Sequence, residues 1–337
     1  MVDGRFDLIR RNTAEIVTEA ELRELLEKKE KPVAYWGTAI TGKPHVAYFF
    51  PILKIADFLR AGFKFKVLLA DLHGALDNCP WIVLEKRYAY YEKVIPLMFK
   101  AIGVDVKNLE LVKGSEFQLK PEYAYDILKL STEVSMRDCK RAASEVVKFG
   151  SNPRLSGFIY PIMQALDEEY LGVDVQLGGT DQRKILMFAR ENLPKIGYNA
   201  RIEVMNPLIP GLTGKKMSAS DEKSKIDLLD SEEEVERKIR NAYMVEGNPD
   251  NAIMAFLKYV IMTLKQDKKE RFRIERDKKF GGDIEYESYE EIEKDYVEKK
   301  LHPLDVKIAV AKEINKLLGV FRKNKKILEK LAREAYS

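Results

Sequence analysis

The first two thirds of the chain alternate short apolar runs with segments of helical periodicity. Residues 33–37 (VAYWG) and 65–70 (FKVLLA) are typical of strands buried on both faces of a sheet, and residues 49–61 between them carry an apolar face at helical spacing. The runs LELVKG and VDVQLGG are likewise each followed by a helix-like segment. Strands that alternate with helices predict an α/β fold around a parallel sheet with right-handed crossovers.

The pattern changes after Ser220. Ser231, followed three residues later by Glu234, has the sequence of a capping box and predicts the start of a helix. Most of the remaining chain has helical periodicity, including NAIMAFLKYVIMTLK and LDVKIAVAKEINKLL. We therefore expect two domains, an α/β nucleotide-binding domain over residues 1–228 and a mainly helical domain over residues 229–337.

The composition favours a globular cytosolic protein. The 337 residues are 45% hydrophobic and 33% charged, and no apolar run reaches the roughly 20 residues of a membrane helix. The N-terminal segment is charged and has no apolar core of a secretory signal. Cys79 and Cys139 lie far apart without CxxC spacing, which argues against a disulfide framework or a zinc site. We expect a cytoplasmic location, no membrane contact and no tightly bound metal.

The positive charge is concentrated in the helical part. From Phe256 to the end there are 21 Lys and Arg against 16 Asp and Glu, a net charge of +5, whereas the whole chain has +4. A basic domain of this kind indicates a polyanion partner, although the solvated faces of ordinary helices have a similar composition.

The turn after the first strand, YWGTAITGKPHVAY, has the spacing of an anion-binding loop. Gly37, Gly42 and Lys43 come close to a Walker A sequence, but Pro44 stands where that motif needs Ser or Thr to hold Mg²⁺. We therefore exclude a Walker A loop. The turn still leads into the N-terminus of a helix, where backbone N–H groups and His45 can donate to phosphate oxygens.

A second polar group lies on a single predicted helix. Tyr160, Gln164 and Asp167 are spaced i, i+4 and i+7 and share one helix face. They form either a solvated stripe or, given their apolar neighbours, a buried face that needs polar partners. A pocket for a polar amino acid would supply such partners.

A third segment, GLTGKKMSAS at residues 211–220, is glycine-rich and doubly basic. Taken alone, it fits a flexible linker as well as a loop that closes over an anion.

Taken together, these segments resemble the tyrosyl-tRNA synthetases of the archaeal and eukaryotic-cytosolic type, which are class I aminoacyl-tRNA synthetases. The residues His45-Val-Ala-Tyr48 lie where the class has its His-Ile-Gly-His sequence. The stretch from Lys216 to Ser220 corresponds to the class sequence Lys-Met-Ser-Lys-Ser. The resemblance extends from Arg11 to LHPLDVK near the C-terminus. It implies a Rossmann-like catalytic domain, with a connective insertion at roughly residues 115–155, and a helical anticodon-binding domain.

The resemblance also implies a set of tyrosine-binding residues. Asp167 and Tyr35 would bind the phenolic hydroxyl of L-tyrosine, so that phenylalanine would leave buried polar groups unpaired. Tyr160, Gln164 and Gln182 would hold its ammonium end. Residues at or near the pocket wall would be Leu68, His73 and Gln118.

The implied ATP site combines the turn, the end of a later strand and the loop. ATP-binding residues would be Gly37, Thr38, His45, Tyr48, Gly179, Asp181, Lys216, Met217, Ser218, Ala219 and Ser220. His45, Lys216 and Lys43 would be catalytic through the charge that they place on the phosphates, with Mg²⁺ accompanying ATP. Two departures from the family pattern are the loop residue Ala219 and the pair Gly74-Ala75, where the family usually has Ala and Tyr.

The helical domain would bind tRNA(Tyr). By resemblance, Phe280 and His302 would sandwich the first anticodon base and Asp305 would bind its Watson–Crick edge, which is ordinary single-strand RNA recognition. Core packing is the alternative for Phe280, but the following Gly281 and Gly282 favour a turn. Family members of this type are homodimers, and we expect the same here.

Three alternatives remain. A tryptophanyl-tRNA synthetase shares the fold, but the pair Tyr35 and Asp167 favours a phenol. A P-loop NTPase is disfavoured by Pro44. A non-catalytic RNA-binding relative would be expected to have lost residues such as His45 and Lys216, which are present.

Overall fold

A central sheet of six strands organises the first two thirds of the molecule in the computed structural model, which describes residues 2–214 and 224–336. Its strand order is β1-β6-β5-β2-β3-β4, and all neighbours are parallel except β1, which pairs antiparallel with β6. The strands are β1 (Glu15–Val17), β2 (Val33–Ala39), β3 (Lys64–Ala70), β4 (Leu109–Lys113), β5 (Val175–Gly179) and β6 (Ile202–Asn206). The predicted parallel sheet is confirmed, and so are its predicted strands β2, β3, β4 and β5; strands β1 and β6 were not predicted.

Helices cover both faces of the sheet. They are α1 (Val2–Arg10), α2 (Glu19–Lys28), α3 (Phe49–Arg60), α4 (Asp71–Leu76), α5 (Leu84–Ile102), α6 (Ser115–Gln118), α7 (Pro121–Ser131), α8 (Met136–Ala142), α9 (Ser156–Tyr170) and α10 (Arg183–Asn192). Pro51 lies in the first turn of α3, where its missing N–H costs no hydrogen bond. Helices α6 to α8 occupy the region predicted as the connective insertion.

The remaining chain is mainly helical, as expected. Its helices are α11 (Glu232–Arg240), α12 (Ala252–Phe256), α13 (Thr263–Lys268), α14 (Tyr289–Val297), α15 (Pro303–Lys323) and α16 (Lys325–Tyr336), with a π-helical stretch at Leu257–Met262. The capping box of Ser231 and Glu234 begins α11. A small antiparallel pair, β7 (Phe272–Ile274) and β8 (Ile284–Tyr286), was not predicted.

Two apolar cores hold these layers together. One runs from α3 and α5 into α12 and α15, so the helical part packs directly against the α/β part. The other lies under α9, on the opposite side of the sheet. The domain boundary at residue 228 stays a prediction.

Candidate active site

A cavity of about 490 Å³ opens at the carboxyl ends of β2 and β5. From β2, the next strands along the chain, β3 and β4, are added on one side of the sheet. Strands β5 and β6 are added on the other side, so the strand order reverses between β2 and β5. Ligands of open parallel sheets bind at this point. Predicted residues that line the cavity are Tyr35, Gly37, Thr38, His45, Tyr48, Leu68, His73, Tyr160, Gln164, Asp167, Gly179, Asp181 and Gln182.

Asp167 is the acceptor at the deep end of the cavity. Its side chain on α9 is buried, and its Oδ1 accepts from Nε2 of Gln118 at 2.7 Å. The Tyr123 hydroxyl also lies 2.7 Å from this oxygen, while Oδ2 lies 3.7 Å from Nε2 of His73. Burial raises the pKa of Asp167 to about 7, and the two hydrogen bonds oppose the rise.

Tyr35 completes this end of the cavity. Its side chain is buried, and no group within the described residues forms a hydrogen bond with its hydroxyl. Nε2 of His73 and Oε1 of Gln118 likewise have no partner within that part of the chain. A buried polar group that lacks a partner costs free energy, so these atoms together favour a ligand that brings its own hydroxyl.

The cavity walls above Asp167 are polar as well. The Tyr160 ring meets the His73 ring edge-on with centroids 4.7 Å apart, and Nε2 of Gln164 donates to Oε1 of Gln182 at 3.2 Å. The predicted face of Tyr160, Gln164 and Asp167 on α9 is therefore turned towards the cavity, and the alternative of a solvated stripe is wrong.

The outer part of the cavity carries the predicted nucleotide residues. Thr38 Oγ1 lies 3.1 Å from the Tyr48 hydroxyl. A Cβ on Gly179 would lie 2.5 Å from Oδ1 of Asp181, so glycine is needed here for the Asp181 carboxylate to lie against the strand end. A Cβ on Gly37 would meet the protein only at ordinary contact distance, so the glycine leaves room for a ligand.

His45 is held in its neutral form. It immediately precedes the short 3₁₀ turn before α3, makes no side-chain hydrogen bond to that turn, and meets the Tyr48 ring edge-on with centroids 5.5 Å apart. Burial and the charge of Lys225 lower the pKa of His45 to about 4. Its Nδ1 has no hydrogen-bond partner among the described residues. A neutral imidazole has one N–H donor and one acceptor, so it can donate to a phosphate without carrying a charge.

The segment that flanks the basic loop reaches His45 directly. His45 forms a bridge with Asp227, and the Val46 N–H donates to the carbonyl oxygen of Ile226 at 3.1 Å. The Leu212 N–H donates to the carbonyl oxygen of Ser224 at 3.0 Å and so joins the two ends of residues 213–223. The predicted loop residues Lys216, Met217, Ser218, Ala219 and Ser220 lie outside the described residues.

Lys43 does not line this cavity. It lines a neighbouring groove of about 1520 Å³, together with Arg237, Lys238 and Arg333 of the helical part. Thr41 lines both spaces and connects them. The loop in between is fixed by its carbonyl groups, because Gly42 O accepts from the hydroxyls of Tyr91 at 2.6 Å and Tyr336 at 3.0 Å.

The predicted anticodon residues lie far along the chain in one corner of the helical part. Phe280 is 62% exposed on a turn, followed by Gly281 and Gly282 with φ of 97° and 75°. His302 caps α15, and its Nδ1 accepts from the Leu304 N–H at 3.2 Å. Arg276 donates to the carbonyl oxygens of Gly282 and Lys300, which ties the Phe280 turn to the chain just before His302.

Sequence reasoning missed several polar residues of the site. Tyr123 lies in a helix whose periodicity is that of a core face, and nothing in its spacing marks its contact with Asp167. Gln176 lies in the run VDVQLGG, which was predicted only as a strand, and Glu203 lies in β6, which was not predicted. In the sheet Gln176 pairs with both Tyr35 and Glu203, so the three form one row across β2, β5 and β6.

Comparisons with known proteins agree with this geometry. A family model described as "tRNA synthetases class I (W and Y)" matches residues 27–319. The chain is 49% identical over 340 residues to the cytoplasmic tyrosine–tRNA ligase of Xenopus tropicalis, and this match covers 99% of the chain and 63% of that protein. It is 43% identical to the tyrosine–tRNA ligase of Haloarcula marismortui, with coverage of 98% and 96%.

Solved structures give the same relationship. The tyrosyl-tRNA synthetase of Archaeoglobus fulgidus, crystallised with L-tyrosine, superposes with a TM-score of 0.89 at 42% identity. That match covers 96% of this chain and 99% of the other. The likeness therefore includes both the sheet and the helical part.

Proposed function

The chain belongs to the class I tRNA synthetases of the tryptophan and tyrosine family, and we propose that it is a tyrosine–tRNA ligase. It would activate L-tyrosine with ATP to tyrosyl-adenylate and transfer the tyrosyl group to the 3′ end of tRNA(Tyr). The single observation that carries this choice of amino acid is the pair of Asp167 and Tyr35 at the closed end of the cavity.

A phenol fits this pair better than the two nearest alternatives. The tyrosine hydroxyl would donate to Oδ2 of Asp167 and accept from the Tyr35 hydroxyl, so both buried groups would gain partners. Phenylalanine offers neither a donor nor an acceptor. The indole of tryptophan offers only a donor, which would leave the Tyr35 hydroxyl unpaired. The site thus selects tyrosine by the cost of unpaired buried groups.

The first step needs no side-chain nucleophile. The tyrosine carboxylate attacks the α-phosphorus of ATP in line, forming a new P–O bond as the bond to pyrophosphate breaks. Neutral His45 and the backbone N–H groups of the turn would donate to phosphate oxygens as negative charge shifts onto the leaving group. Rate enhancement would come mainly from positioning and from these donors. The ribose hydroxyl of tRNA then attacks the tyrosyl carbonyl and releases AMP.

Positive charge for the phosphates would come from two sides. Lys43 lies in the groove that joins the cavity at Thr41, and Lys216 belongs to the loop whose ends lie beside His45. Mg²⁺ would enter with ATP and neutralise phosphate charge, since this ion usually keeps phosphate and water ligands. Among the described residues no group of three or more His, Cys, Asp or Glu side chains converges on a metal site.

The helical part, residues 229–337, would bind the tRNA. Phe280 is an exposed ring on a turn that is stiffened by Arg276, and its 62% exposure suits stacking on an unpaired base better than core packing. His302 and Asp305, at the start of α15, would provide the second ring and the base-edge contact.

A second copy of the chain would cover an apolar surface on the connective region. Large apolar side chains that are about 70% exposed lie on or next to α6 to α9 and on the nearby Trp81–Val83 turn; they are Leu119, Tyr125, Leu128, Met136, Leu155 and Trp81. A contiguous exposed apolar patch marks an interaction surface, and we propose that these side chains belong to one. The names of the eukaryotic relatives place those proteins in the cytoplasm, and we propose the same location.

Charging of tRNA tests the proposal. Purified protein is incubated with ATP, Mg²⁺, tRNA and labelled tyrosine or tryptophan, and label retained on tRNA is measured. We expect ATP-dependent retention of tyrosine only. Retention of tryptophan at an equal or higher rate, or of neither amino acid, would contradict the assignment.

A further inference from the structure

The hydrogen bonds around Asp167 divide its carboxylate into two unequal oxygens. Oδ1 is contacted by Gln118 Nε2 and the Tyr123 hydroxyl, both at 2.7 Å. For Oδ2 the contact found among the described residues is His73 Nε2, at 3.7 Å, which is beyond hydrogen-bond length. The side chain is therefore anchored through one oxygen, and the other is left for a ligand in the cavity.

The Tyr123 hydroxyl lies within hydrogen-bond distance of two acceptors. It lies 2.7 Å from the Met163 carbonyl oxygen as well as 2.7 Å from Oδ1 of Asp167. A phenol has one proton, and a carboxylate is the stronger acceptor because the bond is charge-assisted. The hydroxyl therefore donates to Asp167 when that group is ionised, and it can turn to Met163 when Asp167 is protonated.

The ring of Tyr123 is placed independently of its hydroxyl. It is fully buried and meets the rings of Phe117 and Tyr170 edge-on, with centroids 5.8 and 4.8 Å away. Removal of the hydroxyl alone would leave this packing in place. The contact with Asp167 can thus be tested without disturbing the core.

From this geometry we propose that Tyr123 is a positioning residue for recognition of the substrate phenol. It holds Asp167 ionised and turned so that Oδ2 faces the cavity. The inference rests on the proposed function, because it assigns Asp167 the substrate hydroxyl. Tyr123 itself acts through Asp167 and does not touch the substrate in this assignment.

Several ionisable groups share this environment. Titratable groups that face Asp167 from α4, β2, α7 and its own helix are Asp71, His73, Tyr35, Tyr123, Tyr160 and Glu168. Burial lowers the pKa of His73 to about 4 and raises that of Glu168. Because these groups also titrate, the pH dependence of the parent alone does not report on Tyr123. The effect of Tyr123 is isolated by comparing the pH dependence of variants.

The test compares Tyr123→Phe with the parent and with Tyr170→Phe. Tyr170 is the matched control, since it is the neighbouring tyrosine and donates to another aspartate, Asp126, at 2.8 Å. Tyrosine-dependent pyrophosphate exchange is measured from pH 5.5 to 9. In Tyr123→Phe we expect the acidic limb of kcat/KM for tyrosine to move up by about one pH unit, since a donor to the ionised form is lost.

The kinetic constants that change also distinguish a role in tyrosine recognition from a general structural role. Near neutral pH, KM for tyrosine should rise roughly 5- to 20-fold, with kcat and KM for ATP within about twofold of the parent. An unchanged acidic limb in Tyr123→Phe, or equal shifts in Tyr123→Phe and Tyr170→Phe, would overturn the proposal.

An activity-independent measurement separates this inference from the proposed function. The Asp167 carboxyl is titrated by NMR on protein labelled with carboxyl-¹³C aspartate, with the signal assigned by its loss in Asp167→Asn. A higher pKa of Asp167 in Tyr123→Phe supports the positioning role even if the parent does not activate tyrosine, and an equal pKa refutes it. Absence of tyrosine-dependent exchange in the parent would count against the proposed function alone.

Discussion

At the scale of residues, the site is built from polar side chains that are buried before any ligand arrives. Asp167 and Tyr35 are each only 1% exposed, yet the Tyr35 hydroxyl has no partner within the described part of the chain. Such an arrangement is costly in an empty protein and becomes favourable only when a matching hydroxyl enters. The proposed selectivity would therefore reside in groups whose positions are already fixed by the fold.

Substitution of Asp167 should weaken that selectivity. Asp167→Asn keeps the shape but replaces a carboxylate oxygen with a neutral amide, which accepts more weakly. We expect kcat/KM for tyrosine in pyrophosphate exchange to fall roughly 5- to 150-fold, corresponding to about 1–3 kcal/mol, and discrimination against phenylalanine to narrow by a similar factor.

The control for this substitution is Asp126→Asn. Asp126 is also buried and accepts from tyrosine hydroxyls, those of Tyr170 and Tyr198, but it is not among the residues that line the cavity. The substitution Asp126→Asn should leave the ratio of exchange activity with tyrosine to that with phenylalanine unchanged. Unaltered discrimination in Asp167→Asn would remove this residue from phenol recognition.

At the scale of elements, helix α9 is pressed against a polar row on the sheet. Glu168 of α9 and Glu203 of β6 are fully buried, and none of their four carboxyl oxygens has a hydrogen-bond partner among the described residues. The two carboxyl groups lie close enough to influence each other's pKa. Burial raises the pKa of both groups, and Glu168 raises that of Glu203 further, so the pair holds at least one proton in the folded chain near neutral pH. The nearby arginines oppose the rise but bond elsewhere, Arg201 to Glu169 and Arg190 to Glu21.

This pair should make stability depend on pH. A carboxyl whose folded pKa lies above its unfolded value stabilises the fold fully below the unfolded pKa, near 4.5, and that stability is lost as pH rises towards the folded value. The free energy of unfolding should therefore fall between pH 5 and pH 8, by up to about 1.4 kcal/mol per pH unit for each proton involved.

Glu203→Gln checks this expectation. The amide can donate to Glu168 without needing a proton, so the slope of unfolding free energy against pH should become shallower in urea titrations at pH 5, 6, 7 and 8. Glu110→Gln, an exposed position on β4, serves as the control and should keep the parent slope. Identical slopes in all three proteins would contradict the shared proton.

Sequence patterns predicted the strands of the sheet better than the positions of its buried polar side chains. The apolar runs at β2, β3 and β5 identified buried strands, because an apolar strand signals its own environment. The register that places Tyr35, Gln176 and Glu203 in one row follows from pairing between distant strands, which no local pattern encodes. The small pair of β7 and β8 was missed because Phe272 and Ile274 lie in a strongly basic stretch, which was considered only for its charge.

The resemblance to a known family supplied what the periodicity could not. It indicated that Tyr35, His73 and Gln118 share a pocket with Asp167, and in the structure these three residues reach Asp167 from three other elements, β2, α4 and α6. It did not supply Tyr123, and it placed Lys43 with the catalytic groups, whereas Lys43 lies in the adjacent groove.

At the scale of the whole molecule, the proposed sites of amino-acid activation and of tRNA recognition lie in different regions. The cavity lies at the sheet, while Phe280 belongs to the helical part. Because Phe280 is exposed, its removal should not disturb the core. The two functions should therefore be separable by substitution.

Phe280→Ala should affect only the transfer step. Loss of one stacked base is worth about 1–3 kcal/mol, so kcat/KM for tRNA in aminoacylation should fall roughly 5- to 150-fold. Pyrophosphate exchange should stay unchanged. Val297→Ala, at a half-exposed apolar position on α14, should alter neither measurement. A parallel loss of exchange in Phe280→Ala would indicate a structural role instead.

The assembly state is a second property of the whole molecule. Light scattering should give about 78 kDa, twice the 38.9 kDa of one chain. Leu128→Glu places a charge in the exposed apolar surface of α7 and should shift the mass towards a monomer, because a charge buried at an interface is costly. Ile327→Glu, at an exposed apolar position on α16, should not. A monomeric parent protein would contradict the proposed dimer.

The central claim is that the cavity between β2 and β5 selects a phenol. Amino-acid-dependent ATP–pyrophosphate exchange, measured with each of the twenty amino acids in turn, tests it most directly. Tyrosine should support exchange at a rate well above all others, with phenylalanine and tryptophan reduced at least roughly 100-fold, since each leaves a buried polar group unpaired. Exchange with tryptophan above that with tyrosine, or equal exchange with phenylalanine, would contradict the roles of Asp167 and Tyr35.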